Sequence, residues 1–128
     1  MPETIPLPQL AVDSGRLPEA GVWEHVACTV TWLDAANGRD PHEIALRVMK
    51  TTEEAGEAVA AYIGVTGANP RKGVTATTSD LTGELCDVVL AALVALATVA
   101  GGTPQAEARL AAHVTACAAR LSAPRAAA

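Results

Sequence analysis

Glu53-Glu54-Ala55-Gly56-Glu57 and Glu84-Leu85-Cys86-Asp87 place carboxylates three residues apart in two stretches that otherwise read as apolar helix. Positions i and i+3 share a helix face about one turn apart, so Glu54 pairs with Glu57 and Glu84 with Asp87. If the two helices pack antiparallel, four acids converge on one point. Four like charges in partial burial raise one another's pKa unless a cation sits among them. The cation that prefers carboxylate oxygen and water is a hard divalent one, Mg²⁺ or Mn²⁺. A plainer reading is open too: solvated surface charges with local ion pairs such as Lys50–Glu54. It is weaker for Glu84 and Asp87, which stand at the mouth of the most apolar helix, where unpaired charge is expensive. Ala91, Ala95 and Thr98 on their face are small enough to leave room. Di-iron carboxylate bundles need Glu-x-x-His pairs, and none of His25, His42 and His113 follows a Glu by three.

Composition agrees with a helical scaffold for these acids. Half of the 128 residues are apolar, yet only 2% are aromatic and Phe is absent, so Ala, Val and Leu must carry the burial. Such residues suit closely packed helices, and the length suits one domain with its own core. The net charge is −5 with no basic run, which argues against a nucleic-acid polymer or an anionic membrane as partner. Cys28, Cys86 and Cys117 are odd in number and widely spaced, and read as reduced core residues of a cytoplasmic protein, not a disulfide frame or a zinc site. The N-terminus has no basic region of the signal-peptide kind, and the uncharged run from Val88 to Gly102 reads as too short to cross a bilayer.

Taken in order, residues 1–18 read as an extended, Pro-rich arm, residues 19–121 as the helical domain and 122–128 as a tail. Pro18-Glu19 opens a helix over 19–36, with Trp23, Val26, Val30 and Leu33 near one stripe. Asp40-Pro41-His42-Glu43 predicts a strong helix start: Asp as N-cap, Pro at the first position and Glu three residues on. That helix runs over 41–63 and stops at Gly64, with Ile44, Val48, Ala55, Val59 and Tyr62 on its core face. Lys50, Glu53, Glu54 and Glu57 lie roughly opposite, beside Leu46 and Met49, so the second face is expected to meet another helix as well. A loop over 65–78 follows, then a third helix over 80–100, capped by Ser79 or Asp80 and apolar all round beyond Asp87. Such a helix is buried on every side, by its own bundle or by a second subunit. Thr103-Pro104 caps a fourth helix over 104–121, with a weak stripe of Leu110, Val114, Cys117 and Leu121.

Glu53-Glu54-x-x-Glu57, preceded by Lys50 and followed by Glu84-x-x-Asp87, resembles the motif pair of the all-α nucleoside triphosphate pyrophosphohydrolases, the MazG-like group. The resemblance covers residues 19–121 and implies a four-helix, bundle-like fold completed by dimerisation or by a dimer of dimers. It implies that Glu54, Glu57, Glu84 and Asp87 hold Mg²⁺, that Lys50 contacts substrate phosphates, and that Glu53 orients water or an outer partner. The implied reaction is in-line attack of water at the α-phosphorus of a standard or modified (d)NTP, giving nucleoside monophosphate and pyrophosphate. Trp23 and Trp32 are candidates to stack on the base, core packing being the alternative for each. Arg71 and Lys72, the densest positive charge in the chain, are candidates for a phosphate clamp hinged at Gly67 and Gly73. From another class comes the alternative of a non-catalytic helical interaction module that keeps the fold.

Overall fold

A computed structural model describes residues 21–125. The expected arm over 1–18, the helix start at Pro18-Glu19 and the last three residues of the tail lie outside them. Four helices follow one another: α1 (Val22–Asn37), α2 (Pro41–Thr66), α3 (Thr78–Ala100) and α4 (Thr103–Ser122). No strand occurs among the described residues, so the domain is all-α there.

Local chemistry explains the helix ends. The Asp40 side chain accepts the Glu43 backbone N–H at 2.8 Å and Pro41 takes the first helical position, as the sequence predicts. At α3 the cap is two residues before Ser79 and three before Asp80: Thr77 Oγ1 accepts from Asp80 N, while the Asp80 carboxylate accepts from Thr77 N at 2.7 Å. These bonds hold the Asp80 carboxyl below its usual range. At α4, Gly102 is the N-cap and Thr103 is already helical, with no side-chain cap.

The second helix does not stop at Gly64. It runs on to Thr66, and Gly67, in the left-handed region at φ 65°, closes it. Gly64 is instead a packing glycine inside the helix. A Cβ there would stand 2.8 Å from Thr75 Oγ1 and 2.9 Å from Ala76 Cβ. Its carbonyl accepts from Thr75 N, so the returning chain lies directly on α2. That return sets α3 antiparallel along α2, the principal helix pair of the fold.

The core is narrow. Val26, Val94, Ala97 and Ala106 form it, with Trp23, Val30, Leu33 and Leu96 packed around them, and Val26 is the largest fully buried side chain. The stripe expected on α1 is therefore the one that buries. The core face expected for α2 is not: Val48, Val59 and Tyr62 are about half exposed or more. Glu43, Arg47 and Ala58 are its buried residues beside Gly64, because α2 turns its polar stripe, not its apolar one, toward α3. The sequence reading that the polar side also meets a helix is the one that holds. Likewise Leu85, Val89 and Val99 leave one side of α3 open, Val114 and Leu121 are exposed on α4, and Cys28 and Cys86 are exposed, not core. α3 as a whole, 23 residues with a mean hydropathy of 2.0 in its best window, is long and apolar enough to cross a membrane by length and composition, although the uncharged run within it is shorter.

Glycine-to-alanine changes separate these roles. In a helix interior Ala normally stabilises by roughly 0.5–1 kcal/mol over Gly. Gly83→Ala, whose new methyl meets nothing within 4 Å, should show that gain in urea unfolding. Gly64→Ala should reverse the sign, since overpacking costs about 1–3 kcal/mol.

Candidate functional site

A cavity of about 400 Å³ opens between α1, α2 and α3. One wall is a face of α1: His25, Thr29 and Trp32, at i, i+4 and i+7, lie beside the core stripe rather than within it. Leu46 of α2 and Leu90, Ala91 and Val94 of α3 make the apolar remainder. Lys50, Glu54 and Asp87 stand at one end, Asn37, Glu43 and Arg47 at the other.

At the acidic end, Glu54, Glu84 and Asp87 each bring a carboxylate oxygen within 4.8 Å of the other two. Antiparallel packing of α2 on α3 does this, as the spacing of the two motifs requires. Glu57 stands outside that triad on the exposed side of α2, yet close enough that Glu54, and then Glu84, push its pKa above the usual range. Lys50 is the counter-charge. Its Nζ lies 2.7 Å from Glu54 Oε1 and 3.0 Å from Glu53 Oε2, and these hydrogen bonds hold its pKa above the ordinary lysine value. Lys50–Glu54 is thus the ion pair of the plainer reading, but Glu84 and Asp87 have no cation of their own among the described residues.

The other end is built on Arg47, whose side chain is 3% exposed. Its Nε donates to Glu43 Oε1 at 3.0 Å, Nη1 to Asp34 Oδ1 at 2.8 Å and to Thr98 Oγ1 at 3.3 Å, and Nη2 to the Gly38 carbonyl at 3.0 Å. Burial alone would lower the Arg47 pKa; the bonds to Asp34 and Glu43 outweigh it and raise it. Arg39 adds an outer brace, from Nη1 to Asp34 and from Nη2 to the Thr98 carbonyl. Glu43 therefore does not complete the expected capping box: its side chain turns to Arg47 instead of back to the Asp40 N–H.

The residues singled out in the sequence divide accordingly. Glu54, Glu84, Asp87 and Lys50 come together at the cavity mouth; Glu53 is exposed beside them, held by Lys50. Of the tryptophans, Trp32 lines the cavity, whereas Trp23 packs on the core. Arg71 and Lys72 are exposed in a turn closed by Asn69, whose carbonyl accepts from Lys72 N and Gly73 N. That turn follows the end of α2, about 18 Å of helix rise beyond Glu54, and adds nothing to the cavity wall. His25, Asn37, Asp34 and Arg47 carry no motif. The one signal for Arg47 in the sequence is its i,i+4 spacing from Glu43.

No family model, curated protein or solved structure matches the chain.

The two Arg-centred pairings should differ in weight. Removing one partner of a buried ion pair strands the other, at a cost of roughly 3–5 kcal/mol. Arg47→Met should lose about that much in urea unfolding, while Arg39→Ala, at a 42% exposed side chain, should cost about 1 kcal/mol or less. Equal, small losses would mean that the buried network does not hold the helices together.

Proposed function

We propose that the chain is a Mg²⁺-dependent nucleoside triphosphate pyrophosphohydrolase of the MazG-like, all-α kind, acting on standard or modified (d)NTPs of the cytoplasmic pool. The observation that carries this reading is the convergence of Glu54, Glu84 and Asp87, from two helices, at the end of a cavity walled by Trp32 and His25. The donor set fits the ion: all carboxylate oxygens, no sulfur and no imidazole. Glu57, one turn on, is the fourth candidate ligand. Bound there, Mg²⁺ supplies neutralisation of phosphate oxygens and of the charge that develops on them in the transition state.

The chain's own groups do the rest. Lys50 satisfies Glu54. With Glu54 holding an ion, the Lys50 ammonium would be free to meet a phosphate oxygen at the same place. Glu53, exposed and one residue away, is positioned to accept a proton or a hydrogen bond from an attacking water. Leu46, Leu90 and Ala91 give the nucleoside an apolar wall to pack on. The products are nucleoside monophosphate and pyrophosphate.

Melting curves with Mg²⁺ and with EDTA, beside pyrophosphate release across a (d)NTP panel, test this. Mg²⁺ should raise the parent's Tm, since a ligand stabilises the state it binds. Asp87→Asn should abolish release and the Mg²⁺ response, and should leave the metal-free protein as stable or more so, because one repelling charge is gone. A less stable metal-free variant, with no Mg²⁺ response in the parent, would return these acids to structural duty and favour the interaction module.

The open apolar side supports self-association. In an antiparallel pair, Val48, Val59 and Tyr62 of α2 and Leu85, Val89 and Val99 of α3 fall on the side of the layer away from α1, and all are exposed. Two helices about 10 Å wide and 23 or more residues long offer a face of roughly 700 Å². A standard interface buries about 800 Å² per partner. A second copy laid on this face makes a four-helix layer of two α2–α3 pairs. Sedimentation should show a dimer or larger at micromolar concentration, and Val59→Glu should shift it to monomer. A monomeric parent would overturn the assignment.

A further inference from the structure

We infer that the Asn37–Glu43 end of the cavity selects bases carrying an exocyclic amino group, cytosine or adenine, over their deaminated counterparts uracil and hypoxanthine. The inference rests on the reading of this cavity as a nucleotide site and names the base it takes.

The argument is an inventory of donors and acceptors. Arg47 is the one cation in the wall at this end, and all but one of its N–H groups are spent on Glu43, Asp34, Thr98 and Gly38. It faces its own network and has little left for a ligand. Glu43 is 8% exposed. Its Oε1 takes two hydrogen bonds, from Arg47 Nε and from Asn37 Nδ2 at 3.3 Å. Its Oε2 takes none among the described residues, and no side-chain oxygen buried from solvent lacks a partner there. Oε2 therefore keeps a solvent path, and the cavity that Glu43 lines supplies it. Asn37 spends one Nδ2 hydrogen on Glu43 and keeps the other, and its Oδ1 accepts from no described residue.

Glu43 Oε2 is thus a charged acceptor open to a ligand at this end, with the second Asn37 amide hydrogen a donor beside it. An amino group can donate to Oε2 while the adjoining ring nitrogen, N3 of cytosine or N1 of adenine, accepts from Asn37; deamination reverses both, setting a keto oxygen against the carboxylate and a ring N–H against the amide. The neighbouring Leu33 and Leu46 offer no competing polar group. The spacing suits a nucleotide. Glu43 and Glu54 lie on one face of α2, three turns or about 16 Å apart, so a nucleotide whose phosphates sit at the acid cluster points its base toward Glu43.

Pairs that differ by deamination alone test this on the full chain: dCMP with dUMP, and dAMP with dIMP, titrated calorimetrically, beside pyrophosphate release from dCTP and dUTP with Mg²⁺. A site built to hydrogen-bond a group rejects the analogue lacking it strongly, and in this partly open cavity the amino member should bind about 10–100-fold tighter. Glu43→Gln keeps an oxygen for Arg47 and puts an amide donor in place of the free acceptor; it should bring the ratio to about 1 or below. Because Glu43 also holds Arg47, Asn37→Ala serves as a second variant that should narrow the ratio with Arg47 untouched. Equal affinities within each pair in the parent overturn the inference. Discrimination between dCMP and dUMP without pyrophosphate release from dCTP would uphold the base site and sink the hydrolase reading. Release without discrimination would do the reverse, and a parent that binds none of the four monophosphates would sink both.

Discussion

The buried Arg47 guanidinium is the constraint on which the rest of the structure depends. It sits on α2 and reaches Asp34 and Gly38 at the end of α1, Glu43 on its own helix and Thr98 on α3. A core whose largest fully buried side chain is Val26 cannot fix three helices by volume alone; small side chains let helices slide with little loss of contact. Directional, charge-assisted hydrogen bonds supply the missing specificity. They also tie the end of α1 to α2 at one end of the cavity. The Glu43–Asn37 end of that cavity is part of the same network, so what orders the fold also shapes the pocket.

The acidic end obeys the opposite rule. There the chain has gathered more negative charge than it neutralises: Lys50 serves Glu53 and Glu54, Glu84 and Asp87 have no cation of their own among the described residues, and Glu54 with Glu84 pushes the Glu57 pKa up. A fold selected for stability alone would place cations there or spread the acids, as it does around Asp34, where Arg39 and Arg47 answer one carboxylate. The contrast between the two ends of one cavity is the strongest physical support for reading the cluster as a place where positive charge arrives from outside.

Much of this was legible in the sequence, and the misses share a cause. Four helices follow from capping residues and breakers, and the meeting of Glu54 with Glu84 and Asp87 follows from i,i+3 spacing on two adjacent helices. The core face of α2 is not the one that its hydrophobicity marks as inward. On α2 the apolar stripe of Val48, Val59 and Tyr62 faces out, and Glu43, Arg47 and Glu54 face α3. Gly64 read as a stop, since a glycine that breaks a helix and one that lets another segment lie against it look alike until the partner is seen. The Arg47 network joins residues from 34 to 98, and no local pattern announces such a contact.

The two surfaces of α2 are bound to one another by this inversion. A helix that commits its polar stripe to a neighbour and a cavity has only its apolar side left for solvent, and water is a poor partner for Val48, Val59 and Tyr62. Moving those residues inward would require rotating α2 by about 100°, since Val48 and Val59 each follow a buried residue, Arg47 or Ala58, by one position. That rotation would carry Glu54 away from Asp87 and pull Arg47 out of its bonds to Asp34 and Thr98. The exposed apolar face is thus the structural consequence of assembling the acid cluster and the pocket on one stripe of one helix. A second copy laid over it would cover those side chains without disturbing the acid cluster or the pocket, since both lie on another side of α2.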